Sequence, residues 1–341
     1  MMKRKEIVFT EINKAELLQA EIPDEPGENE VLVRTILSTV SPGTERANIT
    51  GDPSVRGAAA PEVSFPRKCG YSTAGVVEKT GAGVTSVRSG DFVTAFQGIH
   101  ASYNIFPERC VMKYDESKLC PGKAALLFIS VFPMAAVRKT RLEIGESALV
   151  MGCGLLGQIA VRQLHAAGAV PVIAADPIES RREEALAGGA DYVFDPASPD
   201  FAEQVKKATG GGVNVCIEVT GRGEGLDGAL DCMRRFGRVA LLGCTRDQNF
   251  TIDYYRKIHY PGITLVGAHT NARPKEESHP GFFTTRDDIA AMIRLLEGGR
   301  IDFSTMSRET ASPADCGGVF DRLIRGKDFP TVMQFDWSRI S

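Results

Sequence analysis

In the first third of the chain, apolar residues fall in short β-branched runs such as Val31–Leu37, Ala74–Glu78 and Asp91–Phe96, separated by Gly, Pro and Asp turns. This pattern predicts a β-rich domain up to about Leu119. From Ala124 the spacing changes: a helical stretch through Arg141 leads into apolar runs that alternate with helix-spaced segments, as in parallel βαβ units. Strands are expected at Ala148–Gly152, Val172–Asp176, Tyr192–Asp195, Val213–Val219, Arg238–Gly243 and Ile263–Gly267, which suits a doubly wound sheet. After Gly267 a polar, turn-rich stretch precedes a helix from Asp287 to about Glu297 and a short tail expected to rejoin the first domain. No internal repeat or low-complexity segment interrupts this order.

Composition narrows the picture. A chain of 341 residues with 43% hydrophobic content is too long for one ordinary core, so two domains are expected. The 40 basic and 43 acidic residues are interspersed and leave a net charge of −3, which gives no footprint for nucleic acid or an anionic membrane. Small-molecule partners are favoured. The basic start MMKRKEIVFTE is not followed by an apolar leader, and no stretch reaches roughly 18 uninterrupted apolar residues, so a soluble cytoplasmic protein is expected. Eight scattered cysteines without a C-x-x-C pair read as buried free thiols.

The chemistry begins at SALVMGCGLLGQIAVRQLHAAGAVPVIAADP, residues 147–177. Gly152, Gly154 and Gly157 stand in G-x-G-x-x-G spacing directly after an apolar strand. The first makes a tight turn, the second lets backbone approach a pyrophosphate, and the third lets the helix opening at Leu155 and Leu156 pack on the strand. The unpaired N–H groups of that helix meet the phosphate charge. In a chain with 35 glycines the spacing alone is weak; the strand–turn–helix context makes it specific. Asp176 ends the second strand about 20 residues past the turn, where a carboxylate accepts from both ribose hydroxyls and repels a 2′-phosphate. NAD is therefore expected rather than NADP. Arg181 is placed to contact the adenosine ribose, and Arg182 beside it leaves room for some NADP use. The competing reading makes Asp176 a cap for the next helix at Ser180.

This arrangement resembles the medium-chain dehydrogenase/reductase superfamily, the alcohol and polyol dehydrogenase type, over nearly the whole chain. The resemblance rests on TVSPGTERANITG (39–51), CGYSTAGVVEKTGAGV (69–84), SGDFV (89–93) and AAVRKTRLEIGESALVMG (135–152), in that order. It implies an α/β fold: a GroES-like, β-rich catalytic domain formed by residues 1–129 and 269–341, and a Rossmann domain, a doubly wound parallel sheet, over 130–268. It also assigns Val219, Thr220, Gly243 and Ala268, with the glycine turn, to the cofactor, and implies a homodimer paired along the sixth strand. Zinc members hold their catalytic metal with Cys, His–Glu and Cys or Glu at positions that here resemble Ser41, Tyr71 with Ser72, and Phe128. None is a good zinc ligand, and the four-cysteine structural-zinc lobe is missing. No metal site is expected.

Without zinc another group must handle the hydroxyl proton. His100 matches a pocket-lining position and can titrate near neutrality. Tyr71 stands where the zinc-ligating His would be. Glu45 falls near a carboxylate that supports the ligands and can orient Tyr71 or bind a substrate hydroxyl. These three are the catalytic candidates. Ser41, Thr44, His269 and Arg273 are the substrate-binding candidates, the last on a stretch, 271–286, that forms either a lid or a solvated loop. His100 as a loop residue, Tyr71 as cavity filler and His269 as a surface residue are the competing assignments. The leading function is zinc-independent, NAD-dependent interconversion of a secondary alcohol and ketone on a sugar, cyclitol or polyol. Reduction of activated C=C bonds and non-catalytic NAD binding are the alternatives; Asp176 weighs against the first, since such reductases generally prefer NADPH.

Overall fold

The computed structural model describes residues 1–55, 63–245, 249–326 and 328–340. The chain divides into two compact units, Met1–Ile129 with Ser307–Ser341, and Ser130–Met306.

The first unit is β-rich. Its larger sheet runs in the order Arg308–Ala311, Val332–Asp336, Glu30–Thr39, Ser72–Thr80, Phe92–Phe96, Val111–Lys113, and Tyr103–Pro107 also pairs with Glu30–Thr39. All these pairings are antiparallel except that between Arg308–Ala311 and Val332–Asp336, the two strands joined through the helix Cys316–Arg325. A smaller sheet joins Met2–Glu11 to Lys14–Ile22 and to Arg67–Lys68. The C-terminal helix presents Val319, Phe320 and Leu323 to a core shared with Ile7, Phe9, Ile49 and Phe335. Phe320 meets Phe9 edge-on at 4.8 Å. That contact accounts for the tail's return: a helix with one apolar stripe is stable only when the stripe is covered.

The second unit is built on a six-stranded, wholly parallel sheet: Tyr192–Phe194, Val172–Ala175, Ala148–Met151, Val213–Glu218, Met233–Leu241 and Thr264–Gly267, in spatial order. Ala148–Met151 and Val172–Ala175 are buried at every position, as strands covered on both faces must be. The strand order reverses beside Ala148–Met151, so a ligand crevice is expected outside the carboxyl ends there. All six expected strands are present, although the fifth begins at Met233 rather than Arg238.

One boundary differs from expectation. Residues 269–306, assigned by resemblance to the first domain, belong to the second unit. The helix Thr285–Glu297 buries Ile289, Met292 and Leu296. Its Asp288 is ion-paired with Arg138 at 2.9 Å and Arg273 at 3.3 Å, while Arg162 donates to the Asp302 carbonyl at 3.0 Å. A buried carboxylate between two guanidiniums holds its segment wherever they are. Among the described residues, no helix is long and apolar enough to cross a membrane.

Candidate active site

The nucleotide-binding half lies in the second unit. Gly152 turns the chain with φ of +97°, and its N–H donates to the Ala175 carbonyl at 2.8 Å. A Cβ on Gly157 would stand 1.9 Å from the Gly152 carbonyl oxygen, so the helix Leu155–Ala166 presses on the turn with no room for a methyl group. Around Gly154 nothing lies within 4 Å of an added Cβ; this open side admits a phosphate to the helix's first turn. Leu155 and Leu156 open that helix.

Asp176, nearly fully buried, accepts from the Cys153 N–H at 2.8 Å and the Ile178 N–H at 2.9 Å, with Arg181 at 3.7 Å. The helix Glu179–Ala187 begins with Ile178 as its cap residue and takes no side-chain cap from Asp176. The carboxylate instead ties the glycine turn to the end of the neighbouring strand. Across the switch point, the Val219 N–H donates to the Met151 carbonyl at 2.9 Å, and an added Cβ at Gly243 would lie 2.3 Å from the Gly221 nitrogen. The ends of the fourth and fifth strands therefore approach closely. Glu218, which the sequence reading passed over as one more residue of a buried strand, accepts from the Thr220 N–H at 2.7 Å and from its hydroxyl. Burial raises the Glu218 carboxyl above its ordinary range, opposed by these donors. Ala268 continues the ladder through a 3.1 Å bond to the Leu241 carbonyl, and His269 after it is exposed.

Arg273, a substrate-binding candidate, has other work. Its guanidinium is held by Asp288, by the Val131 carbonyl at 2.9 Å and by the Thr270 carbonyl at 3.2 Å. Phe283 lies beneath Arg138, with the guanidinium carbon 3.7 Å from the ring centroid. These contacts tie Arg273 and Phe283 to the second unit, while Lys275, Glu276 and Glu277 between them are exposed.

The candidate catalytic residues lie in the first unit. Ser41 caps the helix Pro42–Ile49, and Glu45 in its first turn reaches back to accept from the Ser41 N–H at 2.8 Å. The other Glu45 oxygen meets His100 Nε2 at 3.0 Å. His100 Nδ1 lies 2.7 Å from Ser38 Oγ, which accepts from the Trp337 indole at 2.9 Å. An indole N–H can only donate. The economical order is Trp337 to Ser38, Ser38 to Nδ1, and Nε2–H to Glu45; this assigns the neutral Nε2–H tautomer from the bonding. Tyr71 donates its hydroxyl to Ser41 Oγ at 2.5 Å.

One expectation changes here. His100 is wholly buried with both ring nitrogens engaged, and Glu45 is 1% exposed. Neither presents an open face; both are joined to Ser41 through the Glu45 carboxylate. Thr44, on the same helix, is exposed.

Residues 156–296 match the sequence pattern of the family described as "Zinc-binding dehydrogenase". An L-threonine 3-dehydrogenase of Pyrococcus furiosus is 30% identical over 286 residues, covering 74% of this chain and 79% of that enzyme. The chain belongs to this dehydrogenase family. A D-guloside 3-dehydrogenase of Escherichia coli K12 is 28% identical over 234 residues, 67% of this chain and 66% of that one. In fold, the dehydrogenase is similar to the 2R,3R-butanediol dehydrogenase of Bacillus subtilis, with a TM-score of 0.81, 21% identity and coverage of 98% and 99%. It is thus a medium-chain oxidoreductase of the alcohol dehydrogenase type, with GroES-like and Rossmann domains.

At the positions that resemble the family's zinc ligands, the side chains of this dehydrogenase are engaged in other contacts. Ser72 donates its hydroxyl to the Ala125 carbonyl at 2.7 Å, Phe128 stacks on Phe96 with ring centroids 4.9 Å apart, and Tyr71 meets Phe128 edge-on at 5.6 Å. A set of zinc-type donors nevertheless exists: Glu45, Cys69 and His100 place ligand atoms within 4.8 Å of one another, all buried. Sequence reading missed it because positions 45, 69 and 100 follow no ligand spacing; only the fold joins them. Burial, then Glu45 nearby, pushes the Cys69 thiol well above its ordinary range. A metal held there would replace the hydrogen bond between Glu45 and His100.

Gly157→Ala is expected to weaken NADH binding by about tenfold or more, because the helix must retreat from the turn. Calorimetric titration checks it; unchanged affinity would contradict the close-packing argument.

Proposed function

We propose that this dehydrogenase interconverts a secondary alcohol of a sugar, cyclitol or polyol with the corresponding ketone, uses NAD(H), and does so without a catalytic metal. The observation that carries this reading is the hydrogen-bonded series Tyr71–Ser41–Glu45–His100–Ser38, standing where the family's zinc ligands are expected. Oxidation transfers a hydride from the carbinol carbon to the nicotinamide and removes one proton from the hydroxyl. Tyr71 takes that proton as it passes its own to Ser41 Oγ. Ser41, gaining that proton, releases its own hydroxyl proton to solvent, while Glu45, bonded to the Ser41 N–H and to His100, holds Ser41 in place for the exchange. In reduction the same groups run in reverse and Tyr71 protonates the carbonyl oxygen. Ser41, Thr44 and His269 are the groups assigned to substrate hydroxyls.

Asp176 supports NAD over NADP, since its buried carboxylate repels a 2′-phosphate. Arg181 contacts the ribose. The D-guloside and butanediol enzymes named above support a secondary alcohol as the reacting group. We also infer a homodimer along the edge strand Thr264–Gly267. Its outer edge is unpaired among the described strands, and Tyr254, Tyr255, Tyr260 and Leu265 beside it are exposed.

A panel of sugars, inositols and polyols with NAD or NADP tests the reaction, with enones as a further arm. NADH formation with a polyol supports the reading; turnover confined to enones with NADPH sinks it. Tyr71→Phe should lower kcat by roughly 10²–10⁴-fold on the responsive substrate. Dialysis against a chelator should leave wild-type kcat unchanged, whereas a loss restored by zinc would overturn the metal-free mechanism. Light scattering should give twice the chain mass, and Leu265→Glu should halve it.

A further inference from the structure

Lys139 ends the helix Leu127–Lys139 and is 7% exposed, yet among the described residues no carboxylate lies within ion-pair reach of it. Its ammonium instead donates to two backbone carbonyls, Gly267 at 3.0 Å and Ala272 at 2.5 Å. These stand at the two ends of one short turn, which begins where the edge strand stops. Inside it the Ala272 N–H donates to the His269 carbonyl at 2.9 Å, and the Asn271 N–H to His269 Nδ1 at 3.1 Å. Arg273, fixed by Asp288, anchors the exit from the turn. Burial, and then the Arg273 guanidinium, push the Lys139 amine below its ordinary range, so an ammonium is costly at this position. A merely apolar spacer would avoid that cost.

The topology says what the turn faces. A dinucleotide lies across the carboxyl ends of the strands, with one mononucleotide on each half of the sheet. Asp176 fixes the adenosine on the half that contains Val172–Ala175. The nicotinamide half then falls outside Val213–Glu218, Met233–Leu241 and Thr264–Gly267. The turn from Ala268 to Ala272 is the continuation of the last of these strands at that end.

We propose that Lys139 is a positioning residue for the nicotinamide end of the cofactor, stapling both ends of the Ala268–Ala272 turn so that its backbone and His269 hold one shape when the nicotinamide binds. The inference rests on the reading that this sheet binds NAD(H). Lys139 has no need to touch the cofactor; its two carbonyl bonds transmit the effect.

Calorimetric titration of the whole protein with NADH and, separately, with ADP-ribose tests it, because ADP-ribose keeps the adenosine and pyrophosphate but lacks the nicotinamide. Lys139→Met should weaken NADH binding about tenfold, as expected for two lost charge-assisted bonds partly compensated by water, and leave ADP-ribose within about twofold. Lys139→Arg, which keeps a charged donor, should restore most of the NADH affinity. Equal weakening of both ligands, or of neither, overturns the proposal. Failure of the wild-type protein to bind either ligand sinks the underlying cofactor reading instead. If Lys139→Met does not fold, Lys139→Gln, with one amide donor, is read by the same selective loss of NADH.

Discussion

The structure of the second unit depends on how closely a helix can approach a turn. With no side chain at Gly157, the helix Leu155–Ala166 closes onto the Gly152 carbonyl, and the first turn of that helix is brought to the end of the central strand. A methyl group at this point would have to push the helix off by more than an ångström's worth of overlap, and the strand ends on both sides would lose their common level. Asp176 reinforces the same contact from the next strand by bonding the Cys153 N–H inside the turn. Cofactor recognition and packing of the sheet are therefore one constraint, which is why the same short segment carries both.

The first unit solves a different problem, that of placing polar groups in an apolar interior. Ser38, Glu45 and His100 are buried, and each is satisfied by another member of the set or by backbone. Trp337 supplies the terminal donor from a segment almost three hundred positions later in the chain. A partly satisfied network of this kind would be worse than an apolar core. Being satisfied, it holds Ser41, and through it Tyr71, in one orientation.

Much of this was legible in the residues. The glycine turn was readable because backbone conformation and close approach admit so few residue types, and the strands of the parallel sheet were readable because burial on both faces leaves continuous apolar runs. The extent of Met233–Leu241 was not: in its first half, MRRF, three consecutive residues are exposed and no strand period shows. The placement of residues 269–306 was hidden too, because it rests on Asp288 finding Arg138 and Arg273 across the fold. The resemblance put His100 at a pocket-lining position, and nothing in IHASYN reveals that Glu45 and Ser38 engage both ring nitrogens. Cys69 joins Glu45 and His100 only once a turn brings it there, and Glu218 is an acid in a strand that otherwise reads as plain core.

The stacked pair Phe96–Phe128 couples the outline of the site to the packing around it. Where relatives would place a metal ligand, position 128 is filled by a ring packed on two other aromatic residues. Replacing that ring by a small ligand side chain would open a cavity and cost about 3–5 kcal/mol, a large share of an ordinary domain's stability. The stack therefore ties the outline of the site to the stability of the β-rich unit, so that no change of residue at position 128 alters one without the other.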